Sequence, residues 1–136
     1  MDTPAHIVVI EDDPASLELI TYLLRAFGHR VTGEVDGAAG LARVQRDAPD
    51  LVICDIHLPQ LGGLDVARQL KADAALRAIP LIAVTASAMV GDRLSVLAAG
   101  FDAYIAKPIV PESFVPEIEA FLPSMRHRPA RSSAED

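Results

Sequence analysis

The stretch LVICDIHLP, residues 51–59, carries four apolar residues, Leu51, Val52, Ile53 and Cys54, straight into the carboxylate of Asp55. An unbroken apolar run fits a strand covered on both faces, because a half-exposed strand would alternate apolar with polar. Asp55 then stands at the carboxyl rim of a buried strand, where a charge is costly unless something pairs with it. Four more runs share the pattern: IVVI at 7–10, a weaker HRVTGEV at 29–35, LIAVT at 81–85 and AYIA at 103–106.

The segments between these runs read as helices. Asp13 before Pro14 is a cap and first-turn signal, Leu17, Ile20 and Leu24 keep one face apolar, and Gly28 sits where a helix stops. Leu41 and Val44 mark a short second helix. Leu64, Ala67 and Leu70 mark a third after Gly62 and Gly63. Val90, Leu94 and Leu97 mark a fourth closed by Gly100, and Phe114, Ile118, Phe121 and Leu122 a fifth begun by Pro111. Five βα units with right-handed crossovers predict a doubly wound, flavodoxin-like α/β sandwich, its five parallel strands in the order 2-1-3-4-5. The folded unit is expected over residues 5–122. Residues 123–136, rich in Pro, Ser, Ala and Arg, are expected to form a flexible tail with no output domain.

The bulk properties exclude several functions. At 136 residues and 51% hydrophobic the chain suits one domain, with no room for a second. A formal charge of −7 argues against nucleic acid, whose phosphates are held by clustered Lys and Arg; only Arg126, Arg128 and Arg131 in the tail are locally basic. The single Cys54 forms no internal disulfide and suits a reducing compartment. No leader pattern is present and no apolar run approaches the ~20 residues of a membrane span, so a cytoplasmic protein is expected, without membrane contact.

Doubly wound sheets bind ligands where their strands end. Glu11, Asp12 and Asp13 follow the first strand, Asp55 the third, Thr85 and Ser87 the fourth, and Lys107 with Pro108 the fifth. If the strand order is 2-1-3-4-5, the first and third strands are adjacent and Asp12 and Asp55 face each other, and two like charges ~4 Å apart repel by about 4 kcal/mol at an effective dielectric of ~20. A hard divalent cation such as Mg²⁺ would offset this, and the Lys107 ammonium adds a fixed positive charge. Such a carboxylate can act as a nucleophile and accept a phosphoryl group, with Thr85 offering a hydroxyl to a phosphoryl oxygen.

Taken in order, Glu11-Asp12 after IVVI, Asp55 in LVICD before IHLPQLGG, Thr85 in VTA and Lys107-Pro108 in YIAKP resemble the receiver domain of bacterial two-component response regulators, from about residue 6 to 122. The intervals match too: 43 residues from Asp12 to Asp55, 30 more to Thr85 and 22 more to Lys107. Residues 79–109 are similar in particular to stand-alone receivers of the DivK kind and to receivers of hybrid kinases. The resemblance implies a CheY-like fold and a phosphorelay switch. In it Asp55 is the phosphoacceptor, Asp12 a direct Mg²⁺ ligand, Glu11 an acid acting through metal-bound water, and the His57 backbone carbonyl a further ligand. Thr85 and Lys107 would sense the phosphoryl group, Tyr104 would be the switch aromatic, and the Lys107-Pro108 bond would be cis. Two departures, His57 two residues after Asp55 and Ser87 two after Thr85, flank the phosphoryl position and bear on its lifetime.

The same resemblance implies a histidine kinase or histidine phosphotransfer protein as donor, a downstream effector protein as target, and a monomer or phosphorylation-dependent dimer. It also implies no turnover of a metabolite beyond self-catalysed phosphotransfer and autodephosphorylation. The alternative is a Mg²⁺-dependent phosphohydrolase with an Asp nucleophile. That class usually carries a second acid two residues after the nucleophile, where this chain has His57. A flavodoxin-like cofactor binder fits worse, since Glu11-Asp12-Asp13 would repel a phosphate.

Overall fold

The computed structural model describes residues 4–86 and 90–122. Ser87 and the tail from 123 to 136, with its three arginines, lie outside the described residues. The elements alternate throughout: β1 (His6–Ile10), α1 (Pro14–Ala26), β2 (Arg30–Glu34), α2 (Gly37–Asp47), β3 (Leu51–Asp55), α3 (Gly63–Ala72), β4 (Leu81–Thr85), α4 (Val90–Ala99), β5 (Ala103–Ala106) and α5 (Pro111–Glu119). All strand pairs are parallel and the order is β2-β1-β3-β4-β5, the doubly wound sandwich that the apolar runs predict.

The runs are continuous because alternate residues serve two cores. Val8, Ile10, Val52, Cys54, Leu81 and Ala83 point to the layer of α2, α3 and α4. Ile7, Val9, Leu51, Ile53, Ile82 and Val84 point to α1 and α5, around the fully buried Phe114. Full burial of each such aliphatic side chain is worth about 1.5–3 kcal/mol, so the central strands anchor the sheet. Among the described residues no helix is long and apolar enough to cross a membrane.

Local signals are met in detail at α1, where the Asp13 carboxylate accepts from the Ser16 N–H at 3.1 Å and Pro14 fills the first helical position. Gly28 follows with a φ of 89°, in the left-handed region that favours glycine. The fifth helix ends earlier than the apolar pattern predicts. After Glu119 the chain tightens into turn bonds from Phe121 N–H to the Ile118 carbonyl and from Leu122 N–H to the Glu119 carbonyl, which still bury Leu122. The fourth helix reverses its expected face. Leu94 and Leu97 are 65% and 53% exposed, whereas Val96 and Ala99 are buried. The apolar spacing of the two leucines marks the outer surface of α4, while smaller side chains fit against the sheet.

One contact ties the fold directly to the rim of β3. A Cβ added at Gly63 would lie 2.2 Å from the Asp55 carbonyl oxygen, which is backbone and cannot step aside, while one at Gly62 would meet nothing nearer than 3.8 Å. Gly63→Ala should therefore destabilise the protein by about 1–3 kcal/mol in urea melts, and Gly62→Ser should be close to neutral. Equal midpoints for the two variants would show that α3 can shift away from β3 at no cost.

Candidate functional site: an acidic cleft with one ammonium

Ile10 in β1 stands opposite Cys54 in β3, so Glu11 and Asp55 leave the sheet on neighbouring strands roughly 4.8 Å apart. Asp12 follows at the solvent side. Glu11 is 1% exposed, Asp55 is also buried, and Asp12 is exposed. The three carboxylates each offer an oxygen within 4.8 Å of the others. From β5, across β4, Lys107 reaches in with its ammonium 2.9 Å from Glu11 Oε1 and 3.2 Å from Asp55 Oδ2. The Lys107 N–H donates to the Thr85 carbonyl at 2.9 Å, which locks the ends of β4 and β5 together. The Lys107-Pro108 peptide is cis.

The remaining polar groups complete the frame. The His57 N–H donates to Asp55 Oδ1 at 3.0 Å, while its side chain is exposed. The Asp13 N–H donates to Glu11 Oε2 at 3.1 Å, so Asp13 serves the site through its backbone and caps α1 with its side chain. Thr85 is 1% exposed at the end of β4. Tyr104 is half-buried against the α3 and α4 layer, its ring 5.2 Å beneath the Arg93 guanidinium and its hydroxyl accepting from Arg93 Nε at 2.5 Å. Cys54 is a buried thiol whose pKa is pushed well up by burial and by the charges of Asp55 and Glu11, so it is inert.

The electrostatics divide the two buried acids. Burial pushes Glu11 up to about 7, and Asp55 beside it adds to the rise against the opposing pull of Lys107 and the Asp13 N–H. Burial works against the Asp55 charge too, but hydrogen bonds from a protonated Glu11, the His57 N–H and Lys107 together hold it below its ordinary value. Lys107 is raised, its loss of water outweighed by the two carboxylates. Three acids and one ammonium leave an excess of negative charge, and the pair Glu11–Asp55 retains a proton to limit it.

The model of the response regulator receiver domain matches residues 7–119. The chain belongs to this family. This receiver is 38% identical over 119 residues to the polar-differentiation response regulator DivK of Brucella anthropi, covering 88% of this chain and 97% of the relative. Its fold superposes with a TM-score of 0.81 on the receiver domain of a sensor histidine kinase from Pseudomonas aeruginosa, at 33% identity over 88% of this chain and 98% of the other. That domain has a magnesium ion coordinated in its active-site cleft. A chemotaxis response regulator of Vibrio cholerae, at 21% identity and a TM-score of 0.83 over 88% of this chain and all of its own, shares the fold.

The receiver's acidic cleft fits a hard divalent cation on its own geometry. Glu11 Oε1 is buried without a hydrogen-bond partner, and its contact with Lys107 is an ion pair only. The donor atoms are carboxylate oxygens, which suit Mg²⁺. The sequence therefore places Glu11, Asp12, Asp55, Thr85 and Lys107 at one end of the sheet, as the structure does. It does not single out Arg93, whose partner Tyr104 is eleven residues away on another element; a cation inside an amphipathic helix carries no local mark of such a contact.

Glu11 has a folded value near 7 against an ordinary 4.5, so the folded protein keeps a proton that the unfolded chain has released. This contribution is fully present below pH 4.5 and is lost as pH rises through 7. In metal-free buffer Glu11→Gln, neutral at every pH, should raise stability at pH 8 by about 1–2 kcal/mol and by much less at pH 5. Urea melts at the two pH values with a chelator present check this; an equal gain at both would remove the buried carboxylate as the cause.

Proposed function

We propose that this receiver is the phosphorylated switch of a two-component phosphorelay, with Asp55 as phosphoacceptor. The observation that carries the reading is the ammonium of Lys107 set 3.2 Å from a buried carboxylate whose pKa is held low. A carboxylate that stays ionised attacks; one that kept its proton would not. Glu11, Asp12, Asp55 and the His57 carbonyl would hold Mg²⁺, the first through water. Bound there, the ion supplies charge neutralisation for the phosphoryl oxygens.

The protein's own residues do the rest. An Asp55 oxygen attacks the phosphorus of a phosphohistidine on a histidine kinase or phosphotransfer protein. The P–N bond breaks, its electron pair returns to the donor imidazole, and an acyl phosphate remains on Asp55. Lys107 and Thr85 take up contacts to the phosphoryl oxygens, so catalysis is positioning and electrostatics. Lys107 then exchanges a carboxylate partner for the phosphoryl group. Output passes through protein contacts with a downstream effector, and the solvent-facing Leu94, Leu97 and Val110 on α4 and before α5 offer apolar surface for them. Nothing in the cleft favours a phosphohydrolase. The position two residues after Asp55 is filled by His57, which presents a backbone N–H to the acceptor rather than a second acid.

Acetyl phosphate with Mg²⁺ should add one phosphoryl group by intact mass, and beryllofluoride with Mg²⁺ should shift amide resonances around residues 55, 85 and 107. Asp55→Asn should abolish both responses. A folded wild-type protein that shows neither change would sink the assignment.

A further inference from the structure

The contact between Arg93 and Tyr104 closes a mechanical circuit around the cleft. Thr85 ends β4 inside the site, and α4 begins five residues later at Val90. Arg93, in the first half of that helix, crosses to Tyr104 on β5. Three residues on along the same strand is Lys107, whose N–H returns to the Thr85 carbonyl. Tyr104 lies opposite Ala83 in the β4–β5 register and Ala106 opposite Thr85, so the strand side of the circuit is fixed by the sheet. The free side is α4. Arg93 is exposed, and its link to Tyr104 is a side-chain hydrogen bond between this helix and β5.

We infer that Arg93 is a positioning residue that latches Tyr104 in the unphosphorylated receiver, so that the latch must open for the phosphoryl group to be accommodated. This rests on the reading of Asp55 as phosphoacceptor. Any displacement of α4 moves Arg93 relative to a ring whose backbone is held by the sheet. Both components of the contact depend on close geometry: a hydrogen bond weakens once donor and acceptor part by much more than about 3 Å, and attraction of a cation to a ring falls away beyond about 6 Å. A contact made in one state alone biases the equilibrium toward that state by its own strength. Arg93 therefore sets a threshold against spontaneous activation. It acts from a residue type that neither the acidic triad nor the phosphoryl contacts require.

The chain suits a direct test because it has two tyrosines and no tryptophan. Tyr22 is 68% exposed, so Tyr22→Phe leaves Tyr104 as the only tyrosine reporter. In that background and without metal, Arg93→Ala should change Tyr104 emission toward that of the beryllofluoride-loaded parent. With Mg²⁺ present, the beryllofluoride midpoint should fall by about three- to tenfold, the range of a charged hydrogen bond and an exposed cation–ring contact. Urea midpoints without metal should fall slightly, because the contact that is lost belongs to the folded, unphosphorylated state. A cycle with Tyr104→Phe, read for every member from amide resonances because that variant lacks the tyrosine reporter, should be non-additive, since both changes remove the hydrogen bond between Arg93 and the Tyr104 hydroxyl. An unchanged or raised beryllofluoride midpoint for Arg93→Ala, or strict additivity in the cycle, overturns the latch. A parent protein that binds no beryllofluoride overturns the phosphoacceptor reading instead, so the two failures are distinguishable.

Discussion

The site depends on one ammonium held between two buried carboxylates. Two acids on neighbouring strand ends repel by several kcal/mol when water is scarce. Lys107, 2.9 Å from Glu11 and 3.2 Å from Asp55, is the group that makes their approach tolerable. Its reach is set by topology. Only with β1 beside β3, and β4 and β5 following in order, does a lysine at the end of the edge strand face acids from the two central strands. The backbone bond from Lys107 to the Thr85 carbonyl fixes where the side chain starts. The doubly wound sheet is thus the device that converts separations of 44 and 52 residues in sequence (from position 11 to 55 and from 55 to 107) into contacts of a few ångströms.

Much of this is legible in the sequence because the constraints are one-dimensional there. A strand buried on both faces must be apolar throughout, so 7–10, 51–54 and 81–85 announce themselves, and the residue after each run is by construction at the rim. The Asp13-Pro14 cap and Gly28 are equally local. Where two elements meet, the sequence is silent. Leu94 and Leu97 have the spacing of a buried helical face but point outward, since α4 packs through small side chains and an apolar stripe does not say which way it turns. Gly63 looks like an ordinary turn residue until β3 is placed against it, where its missing Cβ leaves room for the Asp55 carbonyl. Arg93 and Tyr104 are unremarkable apart and meaningful together.

The two buried acids show how environment assigns roles to like groups. Glu11 and Asp55 have the same functional group, similar burial and a shared cation, yet their proton affinities move in opposite directions. The difference lies in the donors each receives. Asp55 accepts from the His57 N–H and from Lys107, and gains a third donor when Glu11 is protonated. Glu11 accepts from one backbone N–H, at Asp13, and has an oxygen with no hydrogen bond. The acid with more donors keeps its charge, and the acid with fewer holds its proton more tightly. Two like carboxylates therefore part in proton affinity, Glu11 raised chiefly by burial and Asp55 held down by the donors it receives.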